Sequence, residues 1–72
     1  MIDISKLNEG HIGRWVQYTS RDGGKVEKGR IKSWNDSGIF VVYNCAGEWD
    51  RFYDYTAAHT NPEDLEFTDE PV

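Results

Sequence analysis

Apolar and polar positions alternate on both sides of a short polar turn in residues 29–45, which predicts a β-hairpin. The turn reads Asn35-Asp36-Ser37-Gly38, with asparagine at its first position and glycine at its last. This sequence favours a type I turn followed by a bulge in which Gly38 has a positive φ. The pattern therefore predicts both the hairpin and its register.

This register divides the hairpin residues between two faces, because residues paired across two strands share a face of the sheet. The predicted core face carries Ile31, Ser33, Ile39, Val41 and Tyr43. The opposite face, which we call the hairpin face, carries Arg30, Lys32, Trp34, Phe40 and Val42, followed by Asn44. A solvent-facing strand surface rarely needs two large aromatic rings beside cations. The hairpin face is therefore the first candidate binding site.

The segments around the hairpin predict a small all-β fold. Residues 1–11 predict an irregular lead-in that lays apolar side chains over one end of the core. A first strand is predicted at 12–19 and a polar loop at 20–27, whose paired glycines mark a flexible tip. An aromatic strand is predicted at 48–57, because large rings alternate with polar residues there.

The segment that follows carries the signals of a helix start. Asn61 can cap a helix, and Pro62 fits the first helical position. No helical period continues after these residues. We therefore predict a single 3₁₀ turn that leads into a fifth and last strand at 65–68.

The length of 72 residues allows one domain with a modest core, since a chain of this size buries only about 60% of its unfolded surface. We predict a single domain over 1–68 and a frayed acidic tail over 69–72. Cys45 is the one cysteine, so no internal disulfide can form, and the two histidines do not suggest a zinc site. No metal or other cofactor is expected. The expected location is cytoplasmic. No apolar run approaches the roughly 18 residues of a membrane span, so no membrane partner is expected.

The net charge of −5 comes from the end of the chain. Residues 1–62 hold eight acidic and eight basic residues, and the other five acidic residues lie within 63–70. Five of the cations fall in one stretch: Arg21, Lys25, Lys28, Arg30 and Lys32. The molecule is therefore expected to be basic along one loop and strand and acidic at its end.

The order of these elements resembles that of the SH3-like small barrels, including their Tudor, chromo-like and KOW-type relatives. Residues 55–67, with 29–31 and 40–43, also look like short proteins found in bacteriophages and prophages. The resemblance implies a five-stranded SH3-like barrel with a one-turn 3₁₀ helix before the last strand. It implies no particular activity, because such barrels host many functions.

The hairpin face favours a non-catalytic role in binding another protein, since aromatic rings supply contact area and neighbouring cations steer a partner. With the phage resemblance, that partner would be a host or phage protein. A homodimer through Trp34, Phe40 and Val42 is a further expectation. The competing interpretation is that the N-terminal segment or the 20–27 loop covers this face and buries it.

The same sequence allows functions other than protein binding. The basic stretch, interleaved with Trp34 and Phe40, would suit a nucleic acid or a nucleotide, although the overall acidity opposes this. Another set of rings would form an aromatic cage for a cation if they met around one point: Tyr18, Trp49, Phe52, Tyr53 and Tyr55. Catalysis is not expected, because Cys45 lies on the predicted core side of its strand and no nucleophile motif accompanies it.

Overall fold

The computed structural model describes residues 1–69, which form one antiparallel sheet of five strands with short 3₁₀ helices between them. The strands are β1 (Trp15–Thr19), β2 (Val26–Asn35), β3 (Gly38–Val42), β4 (Ala58–Thr60) and β5 (Leu65–Phe67). Their order across the sheet is β4-β3-β2-β1-β5. The predicted all-β class and the number of strands are confirmed. Residues 70–72 of the predicted tail lie outside the described residues.

The 3₁₀ helix before the last strand is also confirmed. Pro62–Asp64 forms a single turn, and the side-chain oxygen of Asn61 accepts a hydrogen bond from the Glu63 backbone N–H at 2.9 Å. Proline lacks the N–H that the first turn leaves unpaired, and the asparagine side chain satisfies another of those donors. The turn ends at β5, so the local sequence sets the direction of the last strand.

The N-terminal segment lies over the core, as predicted. It forms two 3₁₀ helices, Ile4–Lys6 and Glu9–His11. Ile2 is buried in the core, and its backbone N–H donates to the carbonyl oxygen of Pro62 at 2.9 Å. The first residues are thus attached to the turn that precedes β5.

The hairpin exists, but its predicted register was wrong. Asn35 pairs directly with Gly38, so the loop has two residues, and Trp34 pairs with Ile39 rather than with Phe40. The extra residue enters as an irregularity between Ile31 and Ser33 instead of at the turn. Pairs on the turn side of that irregularity are therefore shifted by one residue from the predicted register, and pairs beyond it, such as Ile31 with Val41, are shifted by two.

The reason for the error lies in the turn. The side-chain oxygen of Asn35 accepts from the backbone N–H groups of Ser37 and Gly38, at 2.9 and 3.1 Å, and this closes the loop. Gly38 does not have a positive φ. A Cβ at Gly38 would instead meet the His59 imidazole and lie 2.9 Å from the Thr60 carbonyl oxygen. The glycine is required by the close approach of β4.

Replacing Gly38 with alanine is accordingly expected to lower the free energy of unfolding by about 1–2 kcal/mol, since the added methyl group pushes against the β4 backbone. Urea unfolding monitored by tryptophan fluorescence measures this loss. Asp36→Ala, at an exposed turn position, is the matched control and should change stability by less than about 0.5 kcal/mol. Equal stability of the Gly38→Ala protein would contradict the packing of β4 on the hairpin.

The predicted aromatic strand at 48–57 was also wrong. Trp49–Asp54 is a 3₁₀ helix, and the strand begins only at Ala58. Three rings spaced three residues apart, those of Trp49, Phe52 and Tyr55, pack against the same apolar cluster. The helical segment is kinked at Arg51, whose φ and ψ are not helical, so the rings share one side through their packing against that cluster.

The apolar residues form two clusters. The first contains Ile2, Val16, Ile31, Ile39, Val41 and Leu65, with Tyr18, Trp34 and Tyr43 packed against it. The second contains Val42, Cys45 and Phe52. Residues 45–57, which we call the cover segment, supply most of the second cluster. Cys45 is 1% exposed, so its predicted burial is confirmed.

Candidate functional site

The residues of the hairpin face do not lie together on one exposed surface. Val42 is fully buried in the second cluster. Trp34 is half-buried and packs against the first cluster, because the shifted register turns it toward Ile39. Phe40 is half-buried, and its ring contacts the His59 imidazole edge-on, with the ring centres 5.3 Å apart.

The two cations of the hairpin face hold the cover segment. The Arg30 guanidinium donates to the carbonyl oxygens of Gly13 at 2.8 Å and Trp49 at 2.7 Å, and it lies 4.5 Å from the centre of the Phe52 ring. Lys32 Nζ donates to the carbonyl oxygen of Tyr55 at 2.9 Å. The competing interpretation was therefore right that the chain covers this face. The predicted source was wrong, because residues 45–57 supply most of the cover.

A shallow groove is what remains open of the hairpin face. It lies where Lys32, Ser33 and Phe40 meet residues 56–57 and has a volume of about 310 Å³. We call it the Phe40 groove.

Two of the other three cations in the basic stretch also lie beside carboxylates. Arg21 lies 3.6 Å from a carboxylate oxygen of Glu63 and 3.8 Å from one of Asp64. Lys25 lies 3.3 Å from Glu27. Together with Arg30 and Lys32, four of the five cations are thus engaged by neighbouring residues.

The rings named for an aromatic cage do not meet around one point. Tyr18 packs on the first cluster, whereas Trp49, Phe52 and Tyr55 belong to the second. Tyr53 is 54% exposed and stacks on Phe52, with the ring centres 4.5 Å apart. The structure brings a different pair of rings together.

Tyr18 and Tyr43 line an open cleft of about 320 Å³, together with residues 58–61 and Asp64 of the following 3₁₀ turn. We call this the tyrosine cleft. The two ring centres lie 6.2 Å apart, and the rings meet edge to face at 68°. Tyr43 Oη lies 2.9 Å from Thr60 Oγ1, within hydrogen-bond distance. Burial raises the pKa of the Tyr43 hydroxyl, and the hydrogen bond to Thr60 opposes this in part.

The ends of several strands position the cleft. Tyr18 lies near the end of β1 opposite Glu27 of β2, and Tyr43 directly follows β3. Asp64, at the end of the 3₁₀ turn, also lines the cleft. Its carboxylate and that of Glu27 each have a basic neighbour, so charges of both signs border the two rings.

A serine and a histidine, Ser37 and His59, lie close together near the hairpin turn. The hydroxyl of Ser37 lies 3.2 Å from His59 Nε2, but it donates its proton to Asn35 Oδ1 at 2.8 Å. The imidazole is therefore not placed to remove that proton. Within residues 1–69, no three side chains of the metal-binding types come together.

The tyrosine cleft was not predicted from the sequence, because Tyr43 was assigned to the core face and Tyr18 was named only among the rings of an aromatic cage. They are half-buried rather than buried, since each lies where a neighbouring strand stops. Their positions at the ends of β1 and β3, the two strands that flank β2, were the available signal. The sequence pattern did not indicate that residues 58–61 and Asp64 line the same cleft.

The helices of the described part of the chain are all short. The longest, Trp49–Asp54, has six residues, and none among residues 1–69 is long and apolar enough to cross a membrane. In comparisons with known proteins, no family model, no curated protein and no solved structure matches the chain.

Proposed function

We propose that the protein is a non-catalytic protein-binding module and that the tyrosine cleft is its contact site. The observation that carries this proposal is the pair of half-buried rings, Tyr18 and Tyr43, at the wall of a concave surface. Tyrosine supplies a large contact area at a small cost in side-chain entropy, and its hydroxyl hydrogen-bonds a partner. Such rings in partly desolvated pockets are typical of the residues that dominate binding energy.

The charges around the cleft support the same role. Glu27 and Asp64 border the rings, each beside a basic residue. A polar rim with both signs around aromatic anchors is the usual arrangement of a protein interface. The Phe40 groove is the weaker candidate, since one half-buried ring contributes to it and the Lys32 ammonium is already bound to a carbonyl oxygen.

The proposal includes a fold relationship and a biological setting. The order of five short strands, with a 3₁₀ turn before the last, supports an SH3-like relationship. A role as a phage accessory protein that engages a host or phage protein rests on the sequence resemblance alone. Both are part of the proposal.

Nucleic-acid or nucleotide binding is the alternative, and the contacts do not favour it. Four of the five cations in the basic stretch are engaged within the protein, so phosphates would have to displace existing partners. Binding through phosphates weakens log-linearly with salt, whereas binding through aromatic anchors does not. The salt dependence of the affinity for an isolated partner therefore distinguishes the two functions.

Site-specific photo-cross-linking tests the proposed contact site. A benzophenone amino acid placed at Lys25, on the rim of the tyrosine cleft, is expected to give a discrete protein adduct in a lysate of the source organism. The same probe at Ser33 in the Phe40 groove, or at Asp36 at the hairpin tip, should give none. An excess of unlabelled wild-type protein should compete the adduct away. Adducts at all three positions, or at Ser33 alone, would contradict the choice of the cleft.

A further inference from the structure

The first half of β2 has a neighbouring strand on one side only. β1 pairs with β2 along Val26 to Arg30, whereas β3 pairs with β2 only from Arg30 to Asn35. Residues 26–28 therefore have one edge along which, within residues 1–69, no strand is paired. We call this the open edge of β2.

The hydrogen bonds at its two ends show which backbone groups point to the open edge. The Ser20 N–H donates to the Lys25 carbonyl at 2.9 Å, and the Ile31 N–H donates to the Arg14 carbonyl at 3.1 Å. Residues 25 and 31 thus pair with the β1 side. Because these directions alternate along an antiparallel strand, residues 27 and 29 also pair with β1. The N–H and C=O groups of Val26 and Lys28 point to the open edge.

The edge is open because the chain leaves the path of β3 after Tyr43. The side-chain oxygen of Asn44 accepts from the Ala46 backbone N–H at 3.1 Å, and Ala46 and Gly47 have φ of 53° and 81°. This turn directs the chain into the cover segment. Val26 is 56% exposed and Lys28 is exposed, and within residues 1–69 no backbone group from a loop or turn hydrogen-bonds to either residue.

We propose that an extended segment of a partner protein adds to this edge as a β-strand that continues the path of β3. The inference rests on the proposed function and deepens it. Glu27 lines the tyrosine cleft and pairs with Tyr18, so the partner residue opposite Glu27 has its side chain on the cleft side. Main-chain hydrogen bonds supply affinity in this mode, and alternate side chains supply specificity.

The side chains beside the edge define the chemistry of the partner segment. On the outer face, the residue opposite Lys28 is acidic and the residue opposite Val26 is apolar, because cross-strand pairs of opposite charge and of apolar groups are favourable. Since the added strand runs antiparallel to β2, the acidic residue comes two positions before the apolar one. The residue between them lies opposite Glu27 and beside the two rings, so a basic residue with a long apolar stem fits there.

A second copy of this chain does not fit the same edge. A two-fold pairing that used the outward groups of both Val26 and Lys28 would place Glu27 directly opposite Glu27 of the other copy. Like charges directly opposite each other are destabilising. The occupant is therefore a partner of different sequence.

Amide hydrogen exchange of the free protein tests the open edge itself. The Lys28 amide is expected to exchange at least about tenfold faster than the amides of Glu27 and Gly29, which pair with β1. Equal protection of the three amides would overturn the proposal, because it would mean that the edge is already paired.

Proline substitution tests strand addition. Lys28→Pro removes the outward N–H without removing a bond to β1, and proline is tolerated where an edge N–H faces solvent. The probe is a synthetic peptide selected for binding to the wild-type protein from a displayed library of short random peptides. We expect an acidic residue two positions before valine or isoleucine in that peptide, and about a tenfold loss of affinity for Lys28→Pro. Lys28→Ala, which keeps the N–H, should lose markedly less.

The outcomes separate this inference from the proposed function. Unchanged affinity of a folded Lys28→Pro protein overturns strand addition. If the photo-adduct at Lys25 also persists in that variant, the cleft remains the contact site and only the binding mode is wrong. If no adduct forms at Lys25 in the wild-type protein, the proposed function itself fails. Should Lys28→Pro not fold, Val26→Pro removes the other outward N–H and carries the same expectations.

Discussion

Replacing Gly29 with alanine is expected to lower the free energy of unfolding by about 3 kcal/mol. A Cβ at this position would overlap the backbone carbonyl oxygen of Val42 and lie 2.8 Å from Val41 Cγ1 and 3.0 Å from Tyr43 Cδ1. A backbone carbonyl cannot rotate away as a flexible side chain can. The methyl group would therefore force β2 and β3 apart where both apolar clusters meet.

Urea unfolding of purified protein measures the loss, with the slope of the transition checked for two-state behaviour. Gly24→Ala is the matched control. A Cβ there has the side chain of Asp22 as its nearest neighbour, at 3.3 Å, in an exposed loop. The control should stay within about 0.5 kcal/mol of the wild type. If the Gly29→Ala protein were equally stable, the close approach of β2 and β3 would be refuted.

Replacing Arg30 with alanine is expected to cost about 2–3 kcal/mol and to loosen the cover segment. The variant loses two charge-assisted hydrogen bonds, to the carbonyls of Gly13 and Trp49, and the contact with the Phe52 ring. Hydrogen bonds to charged groups contribute about 1.5–3 kcal/mol each, and partial exposure of the guanidinium reduces that contribution. The expected loss of stability is therefore larger than the contribution of one such bond and smaller than that of two.

The control for Arg30 is Lys32, which lies at the bulge two positions further along β2. Lys32→Met keeps the aliphatic stem and removes one hydrogen bond, to the Tyr55 carbonyl, so about 1 kcal/mol should be lost. Amide exchange of residues 49–54 reports on the cover segment directly. Faster exchange is expected in the Arg30→Ala protein. Wild-type protection there would show that the segment is held by its apolar rings alone.

Features set by neighbouring residues could be predicted from the sequence. Asn61 and Pro62 carry the start of a 3₁₀ turn in their own chemistry, and the turn is found where expected. The hairpin was predicted for the same reason, because the asparagine and glycine of its turn lie between two apolar runs. The burial of Ile31 and Val41 followed from the alternation on either side of that turn.

Segments whose apolar residues fit two different periods could not be assigned from the sequence in this way. Trp49, Tyr53 and Tyr55 fit an alternating strand, whereas Trp49, Phe52 and Tyr55 fit a period of three. Burial against Val42 decides between them, and Val42 belongs to another strand. The bulge beside Lys32 was hidden for a related reason, since no turn residue marks its position.

The candidate site was the least predictable part. Tyr18 and Tyr43 are 25 positions apart in the sequence, and the cleft is also lined by residues 58–61 and by Asp64. The pairing of β1 and β3 with β2 brings the two tyrosines together, and the pairing of β4 with β3 and of β5 with β1 adds the other segment. Polar residues at strand ends indicate where a site could form, but they do not indicate which ends meet.

β5 pairs with β1 across most of the chain, with Glu66 opposite Gln17. Ile2 is attached to the residue that begins the preceding turn. Closing so long a loop costs conformational entropy before any contact offsets it, so we expect this pairing to form late in folding. Until Leu65 arrives, the apolar side chains of β1 and β2 remain open to water. A chain interrupted before Leu65 therefore presents exposed apolar strands, the state in which small β proteins aggregate.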